Sequence, residues 1–167
     1  EAWRFAVANR KGPTALIFTR QNVPLLKAPG IAPASGLLQG GYILWEQSTG
    51  TPQAILLATG SEVALALQAA QRLADEGIGA RVISMPSWEI FDEQPQAYRQ
   101  AVLPPNVRLR VAVEAGIGLG WERYVGLDGA VIGMKGFGAS APAKVLFEKF
   151  GFTVDAAVAK VKELLMR

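Results

Sequence analysis

Arg20 follows directly on TALIFT (14–19), a continuous apolar run, and is itself followed by Gln21 and Asn22. An apolar run without alternation predicts a strand covered on both faces, as in the middle of a parallel sheet. In α/β folds, ligands bind at the carboxyl ends of such strands. A planar guanidinium there suits two-pronged recognition of a phosphate or carboxylate, and two amide side chains stand beside it. An arginine at this position could equally bridge two domains through backbone carbonyls. The residues alone leave both roles open.

The other candidate groups read as structural. Thr59-Gly60-Ser61 joins an apolar strand to a helix, where backbone amides could hold a phosphate. It lacks the glycine fingerprint of dinucleotide sites and the lysine of a P-loop, so a tight turn with Ser61 as N-cap is the better reading. Gly116-Ile117-Gly118-Leu119-Gly120 follows the third strand of its unit, not the first, and reads as a flexible loop. Glu114 closes a strand with no histidine or second carboxylate to work with, which suits a helix cap or an ion pair with Arg123. Glu89, Asp92 and Glu93 read as a solvated acidic helix face. The four tryptophans are spread along the chain and suit packing or interfaces, not a stacking platform.

Composition narrows the chemistry further. The 167 residues contain no Cys, which excludes a disulfide framework, a thiol nucleophile and a thiolate zinc site. They also contain no His, which removes the usual general base and the middle member of a serine triad. Catalysis by this chain alone would have to run on carboxylates, Lys, Arg, Tyr or a cofactor. Residues 1–35 hold five basic groups against Glu1 alone, a net +4, while residues 36–167 hold 12 basic and 13 acidic groups. The basic groups of the body are scattered among acids, which argues against nucleic-acid binding and favours a local anion site near the start. No apolar run approaches the ~20 residues of a membrane helix. The chain begins with Glu1 and reads as a piece of something longer.

The elements that must position these groups follow from the pattern. Residues 1–10 place Trp3, Ala6 and Val7 on one helical face, stopped by Lys11-Gly12-Pro13. The strand over 14–19 needs neighbours that the sequence does not supply. Three prolines (24, 29, 33) and four glycines (30, 36, 40, 41) make residues 22–41 a linker. Strands are expected at 42–46, 54–58, 81–85, 108–114 and 130–132, with a turn at Thr49–Pro52. Helices are expected from Ser61 to Gly77, in one or two pieces over 87–103, around 121–125, from Pro142 or Ala143 to Phe150, and over 154–166 with Val154, Val158, Val161 and Leu165 inward. Alternating strand and helix predicts an α/β sandwich with a mostly parallel sheet.

The segments TALIFTRQN (14–22), ATGSEV (58–63), ARVISMPS (80–87), VAVEAG (111–116), YVG (124–126), GFGASAPA (136–143) and FGFT (150–153) together resemble the carboxyl-terminal part of a transketolase. The likeness runs in order along nearly the whole chain. It implies that residues 1–22 are the tail of a pyrimidine-binding domain, 23–40 an interdomain linker and 41–167 the complete C-terminal domain. That domain would be a three-layer α/β/α sandwich around a mixed five-stranded sheet. Thr19 stands where many members have Ser. The resemblance implies transfer of a two-carbon ketol unit between ketose and aldose phosphates by a cytoplasmic homodimer. The reaction uses thiamine diphosphate and a divalent cation, Mg or Ca, held upstream and not by this fragment. Arg20 occupies the family position that contacts the substrate phosphate. No catalytic, cofactor or metal residue is expected here, the C-terminal domain is expected to be structural or regulatory, and the fragment is expected to be inactive alone. Two other readings stand beside this one. One is a related thiamine-dependent enzyme, a deoxyxylulose phosphate synthase or 2-oxo acid dehydrogenase component. The other is a free-standing α/β interaction module, against which the orphan strand at 14–19 counts.

Overall fold

The computed structural model describes residues 1–27, 29–47 and 50–167. Helix α1 (Ala2–Ala8) opens the chain and buries none of its residues; Trp3 and Val7 lie on its exposed surface. Residues 13–19 form neither helix nor strand, and Ile17 and Phe18 are 92% and 61% exposed. The strand expected here lacks a partner among the described residues, and an unpaired strand in water has no ladder to hold it.

Strands β1 (Tyr42–Gln47), β2 (Ala54–Ala58), β3 (Ala80–Ser84), β4 (Arg110–Ile117) and β5 (Ala130–Met134) form one sheet in the order β1-β3-β2-β4-β5. β1 is antiparallel to β3, and the other neighbours are parallel. The expected turn before β2 includes Thr49, which lies outside the described residues; Gly50 and Thr51 are bends.

The pleat sorts the core. Leu56, Val82, Val111 and Val113 face one side, with α2 (Glu62–Asp75) and α7 (Val154–Leu165) packed on them and α6 (Ala143–Phe150) contributing Phe147 and Phe150. Ile55, Leu57, Ile83 and Ala112 face the other side, beneath α3 (Trp88–Asp92), α4 (Gln96–Val102) and α5 (Glu122–Val125). The result is the expected three-layer α/β/α sandwich. β2 is fully buried over its length, as its unbroken apolar sequence requires.

Local chemistry sets the helix ends. α2 stops in a Schellman motif: Gly77 sits at φ +82°, its N–H donates to the Ala74 carbonyl (2.9 Å), and the Ile78 N–H donates to that of Leu73 (2.9 Å). Ser61 precedes α2, but its hydroxyl donates to Glu62 Oε1 (3.1 Å) and caps no backbone amide. Thr153 does cap α7, accepting the Ala156 N–H at 3.1 Å. The inward register of α7 runs through Ala157, Val158, Val161 and Leu164, while Leu165 points outward. The expected use of Leu165 is off by one position, since a choice between adjacent leucines is settled by packing against β4, not by sequence period.

The linker is more ordered than its composition suggests. A 3-10 helix (Ala34–Gln39) ends at Gly40, whose carbonyl accepts the Ser87 N–H at 2.9 Å. The Gly41 carbonyl accepts the Tyr98 hydroxyl at 2.9 Å. The Ala32 N–H donates to the Leu44 carbonyl at 2.8 Å, at the point where the pairing of β1 with β3 shifts register. Arg81 of β3, 8% exposed, reaches both carboxylate oxygens of Glu46 on β1 (3.0 Å each) and the carbonyls of Ala101 and Val102 on α4 (2.7 and 2.9 Å).

Candidate functional site

The sheet order turns from β3 to β4 on either side of β2, so the crevice at the carboxyl ends of β2 and β4 is its switch point. Three pieces meet there. Thr59-Gly60-Ser61 leaves β2 with Gly60 at φ +54°. Glu62 opens α2, and Glu114 directly follows Val113, the last β4 residue paired with β2. The segment carrying Arg20 is the third piece: a Cβ added to Gly60 would lie 3.8 Å from the Thr19 methyl group. The Thr19 hydroxyl donates to the Gln21 carbonyl at 3.2 Å, which fixes the turn at Arg20. Arg20 and Asn22 are exposed, Gln21 is half-buried, and no described residue hydrogen-bonds or pairs with the Arg20 side chain.

Glu62 is 5% exposed. Burial pushes its carboxyl above the usual 4.5, opposed by hydrogen bonds from its own amide and from Ser61, while the nearby Glu114 charge pushes it further up. Burial likewise raises Glu114, against which the Trp121 indole N–H donates to Oε2 at 3.2 Å. Two carboxyls beside the Thr59–Ser61 turn make it a poor anion site, which supports the tight-turn reading. A carboxyl raised on folding stabilises the fold fully below its unfolded pKa and loses that contribution as pH rises through the folded value. Glu62→Gln is therefore expected to gain stability relative to the parent as pH increases above 4.5. Thermal melts of both proteins from pH 4 to 7 check this; a constant difference between them would refute it.

The remaining candidates separate. Glu114 bonds Trp121 and does not meet Arg123, which pairs with Asp92. The acidic cluster is only partly solvated: Glu89 and Glu93 are exposed, but Asp92 also accepts the Tyr124 hydroxyl at 3.1 Å. The glycines of 116–120 are not a loose loop. Gly116 and Ile117 belong to β4, a Cβ on Gly118 would meet Val131 at 3.0 Å, and one on Gly120 (φ +91°) would meet the Trp88 ring at 2.6 Å. Trp88 and Trp121, far apart in sequence, meet edge to face with centroids 5.1 Å apart. The bridging role of Arg81 escaped sequence reasoning; a lone charge inside an otherwise apolar strand was its only signal.

A doubly wound α/β/α domain, preceded by a segment that passes Gly60 at Thr19 and turns at Arg20, defines the class. The family profile described as the transketolase-like TK C-terminal domain matches residues 40–153, and the chain belongs to that family. Transketolase 1 of Escherichia coli is 54% identical over 164 residues, which is 98% of this chain and 24% of that protein. The chain thus spans about a quarter of the length of the curated relatives it matches. The structure of a transketolase from Leishmania mexicana superposes with a TM-score of 0.86 at 44% identity, covering 98% of this chain and 23% of that one. A transketolase of Pichia stipitis in complex with sedoheptulose-7-phosphate gives 0.87 at 33% identity, covering 99% and 23%.

Proposed function

We propose that this chain works as the carboxyl-terminal part of a cytoplasmic, homodimeric transketolase that moves a two-carbon ketol unit between ketose and aldose phosphates, with Arg20 gripping the substrate phosphate. In this reading residues 1–22 close the pyrimidine-binding domain, 23–40 link, and 41–167 form the C-terminal domain. The observation that carries the Arg20 assignment is its state: exposed, without a partner among the described residues, and held in a turn by the Thr19–Gln21 bond directly after the apolar run 14–19. The sugar phosphate named with the Pichia stipitis relative supports a phosphate ligand for the family.

The reaction depends on thiamine diphosphate and a divalent cation. No group of three or more His, Cys, Asp or Glu among the described residues could hold a metal ion. The described residues thus offer no cluster that fits the cation, and no chemical step is assigned to them. Arg20 binds and orients: its guanidinium supplies charge-assisted hydrogen bonds to the phosphate, which fixes the sugar chain without touching the reacting carbons.

The test is Arg20→Ala in the full-length enzyme. One such contact is worth about 1.5–3 kcal/mol, so kcat/KM for phosphorylated substrates should fall roughly ten- to a hundredfold. Unphosphorylated analogues should be much less affected. An equal loss for both substrate types would end the phosphate assignment.

A further inference from the structure

The carboxyl end of the sheet carries apolar surface that no described residue covers. β2, β4 and β5 are adjacent and parallel, so all three end on the same side of the domain. There an open groove of about 500 Å³ is lined by Gly116 and Ile117 of β4 and by Met134, Lys135 and Phe137 at and beyond the end of β5. Phe137 is 103% exposed, and Ile117 and Leu119 are exposed beside it in the fold. Residues 135–142 are exposed throughout and form neither helix nor strand. A Cβ added to Gly136 or Gly138, on either side of Phe137, would meet nothing within 4 Å. The pairing of β4 with β5 shifts register between Glu114 and Ile117, and such shifts re-aim side chains at functional sites. Single exposed apolar side chains are ordinary; several that share one groove mark an interaction surface.

Two observations point to the occupant. The exposed Ile17 and Phe18 run directly into Thr19, whose methyl group lies 3.8 Å from a Cβ added to Gly60 at the end of β2. Neighbouring strands are about 4.8 Å apart, so the ends of β2 and β5 lie roughly 10 Å from each other. A body that covers Ile17 and Phe18 therefore stands at the same end of the sheet as the groove. The second observation is length: the matched profile is that of a C-terminal domain, and the chain spans about a quarter of its curated relatives. A transketolase thus has the bulk of its chain to place before this stretch. We propose that the surface centred on Ile117 and Phe137 is where the preceding part of the same transketolase subunit docks, the body that also takes up Ile17 and Phe18. This rests on the transketolase reading above. Phe137 is the anchor, a large apolar side chain held out by a segment with no packing of its own.

The test compares amide hydrogen exchange in the 167-residue chain and in the full-length enzyme that contains it. Amides of 118–119 and 135–138 should exchange roughly tenfold or more slowly in the full-length enzyme. Phe137→Asp should return them to the rates of the 167-residue chain, and should leave that chain's own melt unchanged because the side chain is fully exposed there. Leu127→Asp is the matched control. Leu127 is 101% exposed but precedes β5, at the opposite end of the sheet, and its substitution should change neither measurement. Ketol transfer, assayed on the same full-length sample, reports on the transketolase reading separately: its absence would end that reading and this proposal together. Equal exchange in the two proteins, or an equal response to both substitutions, would overturn the docking surface while intact ketol transfer left the reading standing. Sedimentation of the 167-residue chain covers the remaining occupant. A dimer that Phe137→Asp dissociates would assign the surface to a second copy and overturn the proposal.

Discussion

Arg81→Met is expected to destabilise the fold by up to about 3–5 kcal/mol, because it removes the buried partner of a partly buried ion pair and leaves Glu46 and two carbonyls uncompensated. Glu46 keeps a carboxylate that has lost both of its hydrogen bonds to Arg81, and the carbonyls of Ala101 and Val102 lose theirs. The arginine ties β1, β3 and α4 together, so the loss is felt across the edge of the sheet. For a chain of this size each kcal/mol shifts the melting temperature by roughly 2–4 °C, which predicts a fall of order 10 °C. Converting Glu46 to Leu in the same protein should recover part of that loss, since no unpaired carboxylate then remains. Thermal melts of the parent, both single variants and the double variant measure it. A parent-like melt for Arg81→Met would show that the pair contributes little.

Gly40→Ala should cost about 2–5 kcal/mol through two separate effects, backbone strain and a collision. Gly40 lies at φ +77°, a conformation side chains disfavour, and an added Cβ would fall 2.2 Å from the Phe91 nitrogen and 2.6 Å from the Ser87 carbonyl oxygen. Neither atom is the free end of a side chain, so relief requires the 3-10 helix to lift off α3. Gly136→Ala is the matched control: nothing lies within 4 Å of its added Cβ. Denaturant unfolding of the two variants should separate them clearly. Equal midpoints would mean the junction at Gly40 adapts without cost.

The layered α/β architecture was legible because its signals are local and repeated. β2 announces itself as an unbroken apolar run, α2 carries Val63, Leu67, Ala70 and Leu73 at helical spacing, and Gly77 marks its end. What stayed hidden depends on contacts between distant residues. The 3-10 helix at 34–39 exists because its flanking carbonyls are met by Ser87 and Tyr98, partners about fifty residues away. The meeting of Glu62 with Glu114 needs the β2–β4 adjacency, which the sheet order supplies and no motif encodes. Arg20 was singled out on residue type and position alone. Its preceding run forms no strand because it is poorly covered among the described residues: Leu16 is half-buried, and Ile17 and Phe18 stay exposed.

The bond from Ala32 to Leu44 bears on how the folded protein behaves among its own copies. β1 is an outer strand, and its far side would otherwise present a row of unpaired backbone groups on which a second sheet could grow. The incoming segment lies along that margin and takes up a carbonyl there. Pro29 and Pro33 flank the contact, and a proline has no N–H with which to extend a ladder. A stretch that reads as a mere connector thus acts as a guard against edge-to-edge polymerisation.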